Sequence, residues 1–169
     1  SSFFSNTTLQ ADLRKYFYFG EDIVLAFRWE GFASLGRDPW VFYYGGNNQV
    51  RSANFYNIIA TQGWYFNAEL RFPLINAALT VLGQIGPVRG VFFFDLTRSK
   101  VKGFPAKFYR YEGDFFSPVI REFDAIGSYG YGLQFFLLGL PIHLEFTKRL
   151  EFPSIRRPLD FSSYGRFET

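Results

Sequence analysis

Apolar and polar residues alternate along most of the chain. In "GWYFNAELRF", Trp64, Phe66, Ala68, Leu70 and Phe72 share one side, while Tyr65, Asn67, Glu69 and Arg71 share the other. Successive strand side chains point oppositely, so this period predicts a β-strand with two differently solvated faces. The rhythm recurs where Leu9, Ala11 and Leu13 oppose Gln10, Asp12 and Arg14, and where Ile23, Leu25, Phe27 and Trp29 oppose Val24, Ala26, Arg28 and Glu30. Ile142, Leu144 and Phe146 likewise oppose His143, Glu145, Thr147 and Arg149, and Leu159, Phe161 and Phe167 oppose Asp160, Tyr164, Arg166 and Glu168. Val88 to Thr97 and Tyr129 to Leu138 alternate less cleanly. The pattern predicts about seven antiparallel strands, most near the ~10 residues a tilted membrane-crossing strand needs.

The links between these segments differ in length. Gly20-Glu21-Asp22 and Gly139-Leu140-Pro141 read as tight turns, where glycine and proline supply the geometry. "PLINAALTVLGQIG" is of middling length and is expected to hold a short helical turn. Long loops are expected over about 34–62 and 98–127. Short links on one side and long ones on the other suit an up-and-down transmembrane β-barrel.

The chemistry of the two faces sharpens that expectation. A soluble sandwich buries its apolar face and shows its polar face to bulk water. Here the apolar faces carry Trp, Phe and Leu, and the polar faces mix both signs of charge with Tyr, Asn and Gln. Lipid outside and an ion-paired interior fit such faces, and Trp29, Trp40, Trp64 and Tyr65 fall where interfacial aromatics would sit. A soluble β-barrel or sandwich shares the same period and stays the alternative.

Composition narrows the function classes. The 169 residues include 24 Phe and 11 Tyr, too apolar for a disordered chain. A formal net charge of +3 without a basic run gives nucleic acid no support. With no Cys, thiolate chemistry and disulfides drop out. Phe72 to Val88 and Ala125 to Ile142 are free of charge, but their prolines, amides and glycines make poor membrane helices. His143 is the only histidine, so neither a catalytic triad nor a multi-histidine metal site is on offer, and no cofactor is expected. "SYGYGLQ" lacks the helix and Lys-Ser/Thr of a phosphate loop; its glycines are expected to ease curvature or leave room for neighbouring bulk.

One loop stands out. "YYGGNNQVRSANFY" carries Gly45, Gly46 and a single charge, Arg51. The residues alone leave two arrangements open. Arg51 is a solvated loop residue while Glu69 pairs with Arg71 or Arg89, or Arg51 bridges Glu69 and Asp95 with its planar fork. A catalytic role for Glu69 and Asp95 as a carboxylate pair is the weaker reading, and no enzyme is expected.

The order "GGNNQVRSANFY", "NAELRFPL", "VRGVFFFDLT" resembles the C-terminal barrel of the bacterial surface antigen superfamily of outer-membrane proteins, the BamA/TamA-like barrels. "YGYGLQFFLLGLPIHLEFTKRL" is similar to the family's closing hairpin and "LDFSSYGRFET" to its last strand. The resemblance covers most of the chain and implies a lumenal loop lock in which Arg51 meets Glu69 and Asp95. It also implies a C-terminal assembly signal around Tyr164, Gly165 and Phe167. Two positions depart from the family: Ser52 replaces the glycine that follows the arginine, and Glu168-Thr169 follow the aromatic that usually ends the last strand.

Family barrels close with 16 strands, so the resemblance makes residues 1–169 the C-terminal part of an outer-membrane barrel completed by strands of the same or another chain. The function it implies is outer-membrane protein insertion or translocation. A non-catalytic anchor in a larger outer-membrane complex is the alternative, and a soluble lipid-binding barrel the third. Expected partners are outer-membrane lipid, lipopolysaccharide phosphates near Lys100, Lys102, Lys107 and Arg110, and a periplasmic or TolB-like propeller module. Glu112, Asp114, Glu122 and Asp124 nearby favour an ordinary solvated loop over the lipopolysaccharide contact.

Overall fold

The computed structural model describes residues 5–20, 22–76, 78–80, 83–85, 87–103, 108–112, 119–137 and 139–153. Their regular structure is all strand: β1 (Asn6–Phe19), β2 (Ile23–Gly36), β3 (Phe42–Tyr44), β4 (Ile58–Ala60), β5 (Gln62–Ile75), β6 (Ala78–Thr80), β7 (Gly83–Ile85), β8 (Val88–Lys100), β9 (Phe108–Glu112), β10 (Val119–Leu137) and β11 (Leu140–Pro153). The long strands form one antiparallel sheet in the order β1-β2-β5-β8-β10-β11. The sheet is open. Among the described residues β1 pairs with β2 alone and β11 with β10 alone, so no barrel closes.

Each predicted strand within the described residues is present and longer than its alternating core. The expected seventh strand, with Tyr164, Gly165 and Phe167, lies outside the described residues. The tight turns form at Gly20 and Gly139, whose φ of 68° and 80° lie in the left-handed region that glycine adopts without cost. The middle link differs from expectation. It holds the short hairpin β6–β7, which continues the sheet beside β10, rather than a helical turn. The second long link also shrinks, because β8 runs on to Lys100 and β9 pairs with the extended start of β10. A ladder extended by backbone hydrogen bonds does not need clean alternation, so the period under-reports these ends.

The faces divide as the alternation requires, but their burial is inverted relative to a water-soluble sheet. Val91, Phe93, Asp95, Thr97 and Ser99 of β8 are all buried, and Phe92 between them is exposed. On the outer face Leu9, Leu13, Phe17, Trp29, Tyr131, Leu144 and Phe146 are exposed, with Leu13 at 64% and Phe146 at 65%. On the inner face Glu30, Asn67, Asp95 and Ser128 are buried. What buries them is the connection between β2 and β5, which folds back over that face.

This fold-back has its own small core. Tyr44 of β3, Val50, and Ile58 and Ala60 of β4 pack with Phe32, Tyr65, Phe123 and Ile126 of the sheet. The Tyr44 ring stacks on Tyr65 at 5.9 Å and meets Phe32 edge-on at 5.2 Å. The β3–β4 pair closes the base of the loop through three antiparallel partners, Phe42 to Ala60, Tyr43 to Ile59 and Tyr44 to Ile58. A connection poor in charge and rich in aromatics is what such docking needs, since each charge carried inward would require a partner.

Candidate functional site

Cross-strand registration sets out the inner face in rows. One row holds Arg28, Asn67, Asp95, Ser128 and Arg149; the next holds Ala26, Glu69, Phe93, Gly130 and Thr147; a third holds Val24, Arg71, Val91, Gly132 and Glu145. Ala26, Gly130 and Gly132 are small, and the loop tip folds over this face with Asn47, Asn48 and Arg51 lining a cavity beside Ala26. Gly45 and Gly46, with φ of 118° and 100°, turn the chain there. The Gly45 N–H donates to Gln49 Oε1 at 2.7 Å, and Gly46 bridges to Val50.

Val50 at the tip is fully buried, and Arg51 follows it into the face. Its guanidinium sits 4.1 Å above the Phe93 ring. Nη1 donates to Asp95 Oδ1 at 2.8 Å, Nε donates to Glu145 Oε2 at 2.9 Å, and Nη2 donates to Glu69 Oε1. The Arg51 backbone N–H adds a bond to Asp95 Oδ2 at 3.2 Å. The side chain of Arg51 is 6% exposed and that of Asp95 0%. The structure thus brings Arg51 to both expected carboxylates and to a third, Glu145 of β11.

The carboxylates are themselves held. Asp95 accepts from Asn67 Nδ2 and from Ser128 Oγ, each at 2.8 Å. Asn67 Nδ2 also donates to the Gln49 carbonyl, tying the loop backbone to β5. Glu69 accepts from Arg71 Nε at 2.9 Å, so the local pair coexists with the loop contact. Burial alone would depress the Arg51 pKa, but Asp95, Glu69 and Glu145 outweigh it and hold the guanidinium above its ordinary value. Ser52 is accommodated, yet its Oγ is buried without a hydrogen-bond partner.

A second cluster anchors the other side of the loop. Arg28 Nη2 donates to Asp12 Oδ2 at 2.9 Å and to Glu30 Oε2 at 2.6 Å, while Nη1 reaches the Asn48 carbonyl at 3.3 Å. Glu30 also accepts from Tyr65 Oη and from Gln10 Nε2, the latter at 2.8 Å. Tyr44 Oη lies 2.8 Å from Thr97 Oγ1; burial raises the Tyr44 pKa despite that bond, so the hydroxyl stays protonated.

Glu145, Arg28 and Phe93 are the participants that sequence reading did not attach to Arg51 or to its loop. Glu145 and Arg28 already stand on polar strand faces by alternation, but their pairing with one loop depends on registration between distant strands. Among the basic residues of the second link, Lys102 Nζ donates to the Gly36 and Arg37 carbonyls, the second at 3.2 Å, and joins the two long connections. Lys107 and Asp114 lie outside the described residues. Among the described residues no group of His, Asp or Glu is arranged to hold a metal ion.

Chemically the site is a fastener. One fork with bonds in three directions holds a connection against three strands, with each buried charge compensated. No protein-family model, curated protein or solved structure matches this chain.

Proposed function

We propose that the chain is part of an outer-membrane β-barrel of the surface-antigen type, with the β2–β5 connection seated in its lumen and locked by Arg51 on Glu69, Asp95 and Glu145. The observation that carries this reading is the inverted burial. The side of the sheet rich in Leu, Phe and Trp is exposed, and the charged side is covered by the protein's own loop. Strands of 13 to 19 residues are long enough to cross a bilayer at a tilt. Among the described residues β1 and β11 are the edges of the sheet, and they are sites for further strands, because unpaired backbone groups in lipid cost several kcal/mol each.

Within that reading the activity is insertion or translocation of outer-membrane proteins, supported by the sequence resemblance and by an edge able to take up a strand. The alternative is a non-catalytic anchor for a larger assembly. Membrane residence is tested through the tryptophans. Trp29 and Trp64 lie on the outer face and Trp40 in the loop. In single-tryptophan variants reconstituted with brominated phospholipid, Trp29 and Trp64 are expected to be strongly quenched and Trp40 weakly. Equal quenching at all three, or stable solubility of the whole chain without detergent, would overturn the membrane reading in favour of a soluble lipid-binding sheet. Loss of outer-membrane protein assembly on deletion of the gene would separate insertion from anchoring.

A further inference from the structure

The glycines of β10, expected to ease curvature or leave room for neighbouring bulk, have a defined place in this architecture. Ser128, Gly130 and Gly132 point to the same inner face, so β10 presents no side chain there at two consecutive positions. Both vacancies are used. A Cβ on Gly130 would lie 2.7 Å from Phe93 Cζ and 2.0 Å from the Phe146 carbonyl oxygen. One on Gly132 would lie 2.9 Å from Glu145 Cγ and 2.4 Å from the Leu144 carbonyl oxygen. The Phe93 ring fills the first gap from β8, and the Glu145 stem crosses the second from β11. They meet under the same guanidinium.

Glu69 and Asp95 belong to adjacent strands, β5 and β8. Glu145 is different, because β10 lies between its strand and β8. Its carboxylate reaches Arg51 only because Gly132, its direct cross-strand partner, leaves the path clear. β11 is also the last described strand at that edge of the sheet.

We propose that Gly130 and Gly132 form a window through which Glu145 couples the seated loop to β11, the last described strand of the sheet, so that loop docking and the order of β11 rise and fall together. The coupling deepens the loop-lock reading above and rests on it. A carboxylate–guanidinium bond of this kind is charge-assisted, and linkage makes its effect reciprocal. Displacing Arg51 loosens β11, and loosening β11 weakens the hold on Arg51.

Hydrogen exchange on the whole chain tests this, performed in whichever phase, detergent or buffer, the wild type occupies. The comparison therefore stays readable if the membrane reading fails. In Glu145→Gln, peptides from β11 and from the loop are both expected to exchange about tenfold faster, the change a lost charge-assisted bond implies. Arg51→Gln should accelerate β11 similarly, and adding Glu145→Gln to it should have no further effect on β11. If β11 exchange is unchanged in both Arg51→Gln and Glu145→Gln, or if their effects on it simply add, the coupling is absent.

Discussion

Arg51 sits where three carboxylates converge, and its value lies in what each partner would face without it. Asp95 has no exposure and depends on Arg51, Asn67 and Ser128 for all its bonds. Removing the cation leaves buried negative charge uncompensated, which is costlier than never having built the pair. Arg51→Ala is expected to destabilise the folded form by about 3–5 kcal/mol. A lower midpoint in urea unfolding, or an earlier loss of the compact band in heat-modifiable electrophoresis, checks this. Unchanged midpoints would mean that the loop's apolar packing suffices alone. Lysine is a poor replacement, because a point charge cannot present three donors in a plane.

At the scale of the element, the β2–β5 connection is a small docked unit rather than a flexible tether. Its base is fixed by β3–β4 and the aromatic contacts of Tyr44, and its tip by Arg51. Gly46 is one position where its geometry is constrained: φ is 100°, and a Cβ would lie 2.6 Å from the Phe55 ring. Gly46→Ala is therefore expected to cost about 1–3 kcal/mol. Limited proteolysis should show it as faster cleavage within residues 45–57 while the long strands stay protected. Cleavage at the wild-type rate would show that the tip relaxes without penalty. The loop's glycines and lone arginine were legible as a turn with a candidate bridge to Glu69 and Asp95. Docking of its aromatic flanks was not legible, because their partners lie on β2, β5 and β10, remote in sequence.

Across the whole molecule the governing feature is which face meets which surroundings. If the outer face meets lipid, charge there is costly in proportion to depth, whereas charge on the inner face is met by water and counter-charges. Leu13, midway along β1 and 64% exposed on the outer face, discriminates the two settings. Leu13→Arg is expected to lower the stability of the reconstituted protein by about 2–4 kcal/mol. Thr147→Arg, exposed on the inner face, should have little effect. Folding yield into bilayers measures both, and equal tolerance at the two positions would sink the lipid assignment.

The positions of the six long strands and the division of their faces were legible in the described part of the chain, because a pleated strand forces a period of two and the side chains record it; the short strands β3, β4 and β9 were not. The short turns at Gly20 and Gly139 were legible for a similarly local reason, the left-handed φ that glycine tolerates. The β6–β7 hairpin and the full lengths of β8 and β10 were not, since backbone pairing extended them without demanding alternation. The site divides in the same way. Sequence by itself determined that Glu69 and Glu145 stand on polar faces and that Arg51 is the only charge of residues 43–56. Only the tertiary structure decided that one guanidinium serves Glu69, Asp95 and Glu145 together. That outcome depends on registration that brings together residues up to 94 apart, which is not a local property of the chain.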